Sequence, residues 1–530
     1  MSTTADAIVI GSGAGGGAAA WALSRAGMRV LLLEKGPHYT ARDFIHDELT
    51  VCRRSFFVPD PADDPHVLVR DGRAPERSAE SQISCCVGGG TVHMSGYFFR
   101  LRPEDFRARS RYGLGADWPI GYADLEPYYD EVEQVIGVSG AWTPEPGRKP
   151  FPLAPLLAHP SAQLIEAAGK KLGLKVFPIP RAIVSADYRG RQACTYCGFC
   201  GSYGCEVSAK SSSLATFVAL AQRTGKLTLV PRAQAVAVTA VDGKADGVTW
   251  LDPQGREQRA RARVVVVACA AIESARLLLA SGLANASGQL GRNLLFATLA
   301  SGYARFPRDS PGWPAASERL PFLDRAVQDH YVLPSGKKGG TILFQRPHVN
   351  PIYQLEKLAF NGADPPIFGA ALKARMREFF HQTQTIEWES FSEFWPHDGC
   401  RVSLDKEIRD ARGRAAARVT VGVHPESLAA SDALAATARR LLDAAGALRQ
   451  GTASDERTYA VLQAGTARMG NDPGDSVLDA AGQAHDVRNL YVADASGFPS
   501  SGGAPFTLTI LANALRIGAG IVARARRREL

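Results

Sequence analysis

Two residue clusters in this 530-residue chain have types and spacings that do chemistry. The first is Gly11-Ser12-Gly13-Ala14-Gly15-Gly16, set between the apolar run Ala7-Ile8-Val9-Ile10 and an alanine-rich stretch, with Leu31-Leu32-Leu33-Glu34 beyond. Gly11 permits a tight turn, Gly13 lets backbone approach a pyrophosphate, and Gly16 allows close packing of helix on strand. A helix beginning there offers unpaired N–H groups and a partial positive charge to phosphates. Glu34, 18 residues past Gly16, is placed to accept hydrogen bonds from a ribose diol. The order strand, glycine turn, helix, strand, carboxylate predicts a dinucleotide site; the bland alternative is a glycine-rich turn in an ordinary βαβ unit.

The second cluster is Cys194-x2-Cys197-x2-Cys200-x4-Cys205. Four of the nine cysteines fall within twelve residues, unlike a distributed disulfide framework. Thiolates so spaced on a glycine-containing loop can converge on one iron–sulfur cluster, on zinc, or form a purely structural thiol group. Cys52, Cys85, Cys86, Cys269 and Cys400 read as buried small hydrophobes.

Elements must position these groups. The pattern predicts a helix starting near Tyr122 and another over Ser211–Arg223. Strands are expected at Leu227–Val230, Ala235–Val238 and Val264–Val267, followed by a helix over Ala270–Leu279. Near the end, Leu490–Asp494 reads as a buried strand closed by a carboxylate, and Thr507–Ala523 as a long apolar helix. A second glycine-dense turn lies at Val87 to His93. Residues 300–460, with Trp313, Trp388 and Trp395, read as a substrate-facing layer.

With these motifs, Gly465-Thr466-Ala467-Arg468-Met469-Gly470 and Asn489 to Gly503 in view, the chain resembles the glucose–methanol–choline (GMC) oxidoreductases. It is nearest to the bacterial branch with the large subunits of gluconate, fructose and FAD-dependent glucose dehydrogenases. The resemblance implies an α/β fold (α+β overall): a Rossmann-like FAD-binding domain of discontinuous segments, 1–100, 195–300 and 462–530. A substrate domain with a largely antiparallel sheet takes 101–194 and 301–461. It implies that Gly11, Gly13, Gly16 and Glu34 hold the diphosphate and ribose of FAD, and that Gly88, Gly89 and Thr91 line the flavin. His93 falls where some relatives attach FAD covalently. Val236 matches the adenine-contacting strand, and Asp494, Gly502 and Gly503 the late segment closing over the flavin. Related large subunits carry a three-iron cluster in the region of the four cysteines, with different spacing.

The chain departs from the family at the catalytic pair. The histidine expected three residues before Gly465 is Leu462, and its histidine or asparagine partner is Pro505, followed by Phe506. Gln463, one residue away, carries an amide and is no base. Two readings follow: alcohol oxidation with a relocated base, for which Glu393 is the candidate, or desaturation beside a carbonyl. The apolar wall of Leu462, Pro505 and Phe506 favours a substrate less polar than a sugar. The competing class is a flavin-binding lyase, isomerase or altered paralogue without net redox turnover.

Composition bounds the partners. With 45% hydrophobic and 22% charged residues the chain is ordinary globular protein. The net charge of +8 is modest for this length and dispersed outside the tail Arg524, Arg526, Arg527 and Arg528, which reads as a solvated C-terminus rather than a nucleic-acid contact. No uninterrupted apolar stretch approaches 18 residues, so no membrane span is expected. A small-molecule substrate is expected, with a small subunit or cytochrome as electron acceptor. The N-terminus enters its first strand without a secretory pattern, which makes cytoplasmic placement the default and co-export with a partner to the periplasm the alternative.

Overall fold

The structure, a computed structural model, describes residues 3–51, 56–70, 73–145, 147–310, 323–345, 350–360, 365–452 and 462–530. Cys52 and Trp313 lie outside the described residues. The chain opens with β1 (Thr3–Ile10), α1 (Ala14–Arg25) and β2 (Val30–Leu33), then β3 (His66–Arg70) and β4 (Glu76–Ser78). Helix α2 (Tyr122–Ile136) and β5 (Val176–Pro178) lead to β6 (Leu227–Val230), β7 (Gln234–Val241), β8 (Lys244–Leu251), β9 (Glu257–Val267) and α3 (Ala271–Ser281). Next come β10 (Thr298–Pro307), β11 (Arg325–Val327), β12 (Gly340–Gln345), β13 (Thr383–Ser392), β14 (Arg401–Arg409) and β15 (Ala415–Val421). Helix α4 (Pro425–Ala444), β16 (Arg449–Thr452), β17 (Leu490–Val492) and α5 (Thr507–Arg526) complete the chain.

The expected elements form, and they assemble into a mixed α/β protein built on three sheets. The first has the order β6-β2-β1-β9-β8-β7, with β17 also on β9. Its centre is parallel: β1 pairs with β2 on one side and β9 on the other. Parallel sheets are covered on both faces, so their strands read as continuous apolar runs. Ala7, Ile8 and Val9 and the four valines 264–267 are each 0% exposed, and each valine contributes roughly 1.5–3 kcal/mol by burial.

Helix α5 is the one helix among the described residues long and apolar enough to cross a membrane. Here 56% of its most apolar window is buried, with Leu508, Leu511 and Leu515 in the main core. It lies on α1 so closely that a Cβ on Gly518 would stand 2.6 Å from Ala22 Cβ. That contact accounts for the small residues Ala19 and Ala22 on α1.

The second sheet, β16-β10-β13-β12-β11-β5, is antiparallel throughout. Its alternation divides β13 cleanly. Ile386 and Trp388, with Ile342 and Phe344 of β12, pack against Leu434 and Leu441 of α4. Glu387, Glu389 and Phe391 point the other way, towards a cavity between this sheet and the first. The third sheet, β14-β15-β3-β4, joins residues 66–78 to 401–421. It therefore crosses the segment division read from the sequence, and Leu68, Val402, Ala417 and Val419 share the core of the first sheet.

Candidate active site

The glycine turn after β1 is shaped by contacts no side chain tolerates. Gly11 has φ +92°, and a Cβ on Gly15 would meet Ala493 O at 2.1 Å. On Gly16 it would meet Gly11 O at 1.8 Å. Ser12, a residue the sequence reading passed over, ties the turn together. Its hydroxyl donates to Glu34 Oε2 at 2.7 Å and accepts from Gly88 N at 3.0 Å. Glu34 takes further donors from Ser12 N at 3.0 Å and Gly36 N at 2.9 Å. Burial raises its pKa against those hydrogen bonds. Glu34 thus braces the loop as well as facing the cavity.

That cavity, about 840 Å³, runs from β7 past the glycine turn to β13. Gly11, Gly13, Glu34, Gly89, Thr91, His93, Val236 and Asp494 all line it. Gly16, Gly88 and Gly503 do not: they support the wall from behind. At φ +96°, Gly88 packs on Leu214, where a Cβ would approach to 2.8 Å. Gly503 packs on Tyr331 and accepts from Thr341 Oγ1 at 2.7 Å. His93 stacks on Phe57 with ring centroids 5.5 Å apart. Asp494 accepts from Ser274 Oγ at 2.6 Å and from Ser496 N at 2.9 Å, and burial raises its pKa.

These residues fit FAD. Helix α1 has no side-chain N-cap, so its first N–H groups face the cavity unpaired by a cap. Two buried polar atoms on the wall, Ser84 Oγ and Gln463 Oε1, have no hydrogen-bond partner among the described residues. Buried polar atoms left this way point to a polar ligand. Gln463 is held by its other end, with Nε2 donating to Ser81 O at 2.5 Å.

Beyond the flavin-side residues the cavity has two unlike walls. Leu462, Pro505 and Phe506 form the apolar one anticipated above. Facing the same space are Tyr97, Gln345, Tyr353, Glu387 and Glu389, which the sequence reading missed. The apolar wall is therefore only one side of the cavity. Lys357 forms an ion pair with Glu387. Glu389 has its pKa pushed up to about 7, by burial first and then by the charge of Glu387. The alternation Glu387-x-Glu389-x-Phe391 was the available signal, but only the register of β13 says which face meets the cavity.

One chemical assignment changes. Glu393 does not line the cavity: it lies just past the end of β13 and is 1% exposed. Its Oε1 accepts from Ser501 N at 2.6 Å and Ser501 Oγ at 2.9 Å, and its Oε2 from Gly502 N at 2.8 Å. Burial nevertheless pushes its pKa up to about 7. A carboxylate so occupied holds the 501–502 turn in place, and it has no access to substrate.

The cysteine loop is the other place where chemistry was read from spacing. Among the described residues no three His, Cys, Asp or Glu side chains are grouped to hold a metal. Cys194, Cys200 and Cys205 pack beside the apolar group of Leu156, Ile183, Val184 and Ala209. Burial pushes the thiols of Cys194 and Cys200 up to about 12 and 11, and the neighbouring cysteines of the loop add to the rise. The loop is held instead by buried Lys210, whose Nζ donates to Cys200 O and Tyr203 O at 2.6 Å each and to Met94 O at 3.1 Å.

Comparison with known proteins agrees with this geometry. Two family models described as GMC oxidoreductase match residues 6–298 and 396–514. Paromamine 6'-oxidase of Streptomyces fradiae is 34% identical, over 96% of this chain and 90% of that protein. The fructose dehydrogenase large subunit of Gluconobacter japonicus is 28% identical, over 98% of each chain. Among solved structures, Aspergillus oryzae formate oxidase superposes with a TM-score of 0.67 at 16% identity, over 100% of this chain and 99% of its own. That likeness speaks for the fold alone.

Proposed function

This chain belongs to the GMC oxidoreductases and is an FAD-dependent oxidoreductase, and from that premise we propose that it oxidises a carbinol group of a small hydroxylated substrate. The observation that carries the choice of alcohol over desaturation is the polar wall of Tyr97, Gln345, Tyr353, Glu387 and Glu389. Hydroxyls and carboxylates at that density match a polyhydroxylated molecule. An alkyl chain entering there would strip water from several polar groups without replacing their hydrogen bonds. Relatives named for fructose, gluconate, paromamine and 2-methyl-1,2-propanediol support the same substrate class.

When bound, FAD supplies the two-electron acceptor at its flavin ring. The chain's own residues do the rest. The glycine turn and the N-terminus of α1 hold the diphosphate, and Glu34 faces the adenosine ribose. Leu462, Pro505 and Phe506 exclude water beside the reacting carbon. The polar wall orients the hydroxyls. Relatives named as a large subunit and as a flavoprotein support passage of the electrons to a partner subunit or cytochrome.

The test is anaerobic mixing of the flavin-loaded enzyme with a panel of neutral, acidic and aminated sugars and diols. Bleaching of the visible flavin band with formation of a carbonyl product is expected. A panel member that binds tightly and returns unchanged, with the band intact throughout, would favour the lyase or isomerase class. Reoxidation then separates acceptors, since prompt peroxide formation in air would replace the partner with oxygen.

A further inference from the structure

We propose that Glu389 takes the substrate hydroxyl proton in this enzyme, at the place in the cycle where the family's histidine is absent. The inference rests on the alcohol-oxidation reading above and adds to it the residue that acts. Alcohol oxidation breaks two bonds to hydrogen. As the carbinol C–H pair leaves to the oxidised flavin, the O–H proton must go to a base, and a C=O double bond results. Leu462 and Pro505 offer no such group, and neither does the Gln463 amide. The proton acceptor must therefore stand elsewhere on the same cavity wall.

Glu389 meets the geometric requirement. It is half-buried at the cavity surface on β13, between Glu387 and Phe391. Leu462 packs against the apolar group that contains Tyr97, Leu343 and Phe391, and Leu343 is the cross-strand partner of Glu389. The carboxylate and the vacated histidine position therefore flank one patch of wall. Tyr97, whose hydroxyl donates to Gln345 Oε1, lines the same wall, and its hydroxyl works against the burial that raises the Glu389 carboxyl. Arg181 lies over the Tyr97 ring at 4.8 Å and pairs with Asp324 at 2.8 Å, which fixes the tyrosine. Rings and amides held this way pre-position the base.

Charge on the neighbouring elements separates the two carboxylates. Lys357 pairs with Glu387 and keeps it ionised, while Glu389 faces Glu387, Tyr97 and the already paired Arg181. Burial first, and then the charge of Glu387, push its carboxyl up to about 7, where a general base works best, because it is ionised in part yet retains affinity for a proton. Once protonated, it returns the proton to solvent through the cavity mouth after product leaves. The atoms balance: alcohol and oxidised flavin yield carbonyl, reduced flavin and one proton.

The decisive variant is Glu389→Gln in the FAD-loaded enzyme, with Glu389→Asp alongside. The flavin-reduction rate of wild type is expected to rise with pH along a limb near neutrality. In Glu389→Gln that limb disappears and the rate drops about 100-fold or more, while flavin content and product affinity by calorimetry stay within about threefold. Glu389→Asp, one methylene shorter, keeps the limb at a reduced rate. Glu387→Gln moves the limb to lower pH, because the like charge that raises Glu389 is gone. Independently of turnover, infrared difference spectra of wild type should show a carboxyl titrating near neutral pH that is missing in Glu389→Gln. A Glu389→Gln enzyme that reduces its flavin at the wild-type rate with the limb intact overturns the proposal and leaves alcohol oxidation standing. Wild-type enzyme that no hydroxylated compound reduces overturns the earlier reading instead. If Glu389→Gln fails to take up FAD, the infrared titration of wild type with Glu389→Asp decides: no carboxyl shift between them overturns the assignment.

Discussion

The glycine turn and the β13 wall face each other across one cavity, and they encode their roles in opposite ways. At the turn, function is backbone geometry. Gly11, Gly15 and Gly16 matter because carbonyls of neighbouring segments, or for Gly16 of the turn itself, stand where a Cβ would be. Such a demand fixes residue type at fixed intervals and is visible in a linear sequence. On β13, function belongs to side chains that share a face, and the face exists only once the strand has neighbours. Glu387, Glu389 and Glu393 look alike along the chain. Pairing with β10 and β12 turns the first two to the cavity, and the strand's end turns the third into the protein.

The largest expected effect tests the turn. Gly16→Ala places a methyl 1.8 Å from Gly11 O, which backbone cannot relieve without opening the loop. Flavin bound per chain, measured by visible absorbance against protein, is expected to fall at least about tenfold. Tyr353→Phe on the opposite wall should keep the wild-type flavin ratio, because it changes one hydroxyl at the substrate end. If both variants lose flavin alike, the division between a cofactor half and a substrate half fails.

The next prediction separates two glutamates four residues apart. Glu393→Ala strips acceptors from Ser501 N, Ser501 Oγ and Gly502 N. Unpaired buried donors cost roughly 1–3 kcal/mol each, so thermal or denaturant unfolding should shift downward strongly. The neutral limb of flavin reduction should survive in whatever folds. Loss of that limb with unchanged stability would exchange the roles of Glu393 and Glu389.

How far the sequence could be read follows from the same contrast. The β1–turn–α1–β2 unit, α3, β17 and α5 were legible because apolar periodicity and glycine spacing are local. So was the cavity placement of Thr91, His93, Val236 and Asp494, through the resemblance. The third sheet was not, because β3 and β15 are some 350 residues apart and nothing local announces a parallel pairing at that distance. Glu389 was missed for a related reason: a strand's alternation gives two faces without saying which is wet. The cysteines stayed open between cluster, zinc and structural thiols because spacing shows that thiols are neighbours and not what they hold; in the fold Cys194, Cys200 and Cys205 pack beside Leu156, Ile183 and Val184.

A smaller effect concerns stability against pH. The carboxyl of Glu389 is raised from 4.5 to about 7, so the folded protein holds that proton more tightly than the unfolded chain. The associated stability is fully present below the unfolded value and is lost as pH rises through about 7. Glu389→Gln removes this titration. Differential scanning at pH 5 and pH 8 should therefore show a shallower fall in melting temperature for the variant than for wild type. Glu393 carries a shift of the same sign, but it is present in both proteins and cancels. An unchanged slope would mean that Glu389 stays ionised in the fold, and its claim to the proton would weaken with it.

The smallest effect is expected at the cysteines, where the comparison of the two walls gains a control. Gly201 and Ser202 of this loop reach the cavity, so a disturbed loop would be felt at the flavin. The loop's position depends on the Lys210 ammonium and its three carbonyl partners, while the Lys210 and Tyr196 amides donate to Cys205 Sγ and Cys194 Sγ. Cys197 is half-buried and stands apart from the apolar group that holds Cys194, Cys200 and Cys205. Cys197→Ser exchanges one small side chain for another there and should leave flavin content and reduction rate within about twofold. Iron and sulfide measured on anaerobically purified wild type and variant should be equal. A brown wild type whose iron disappears in Cys197→Ser would show that the thiols converge around a cluster when it is supplied. The cavity would then have a third participant, carrying electrons away from the flavin through the loop that Lys210 holds.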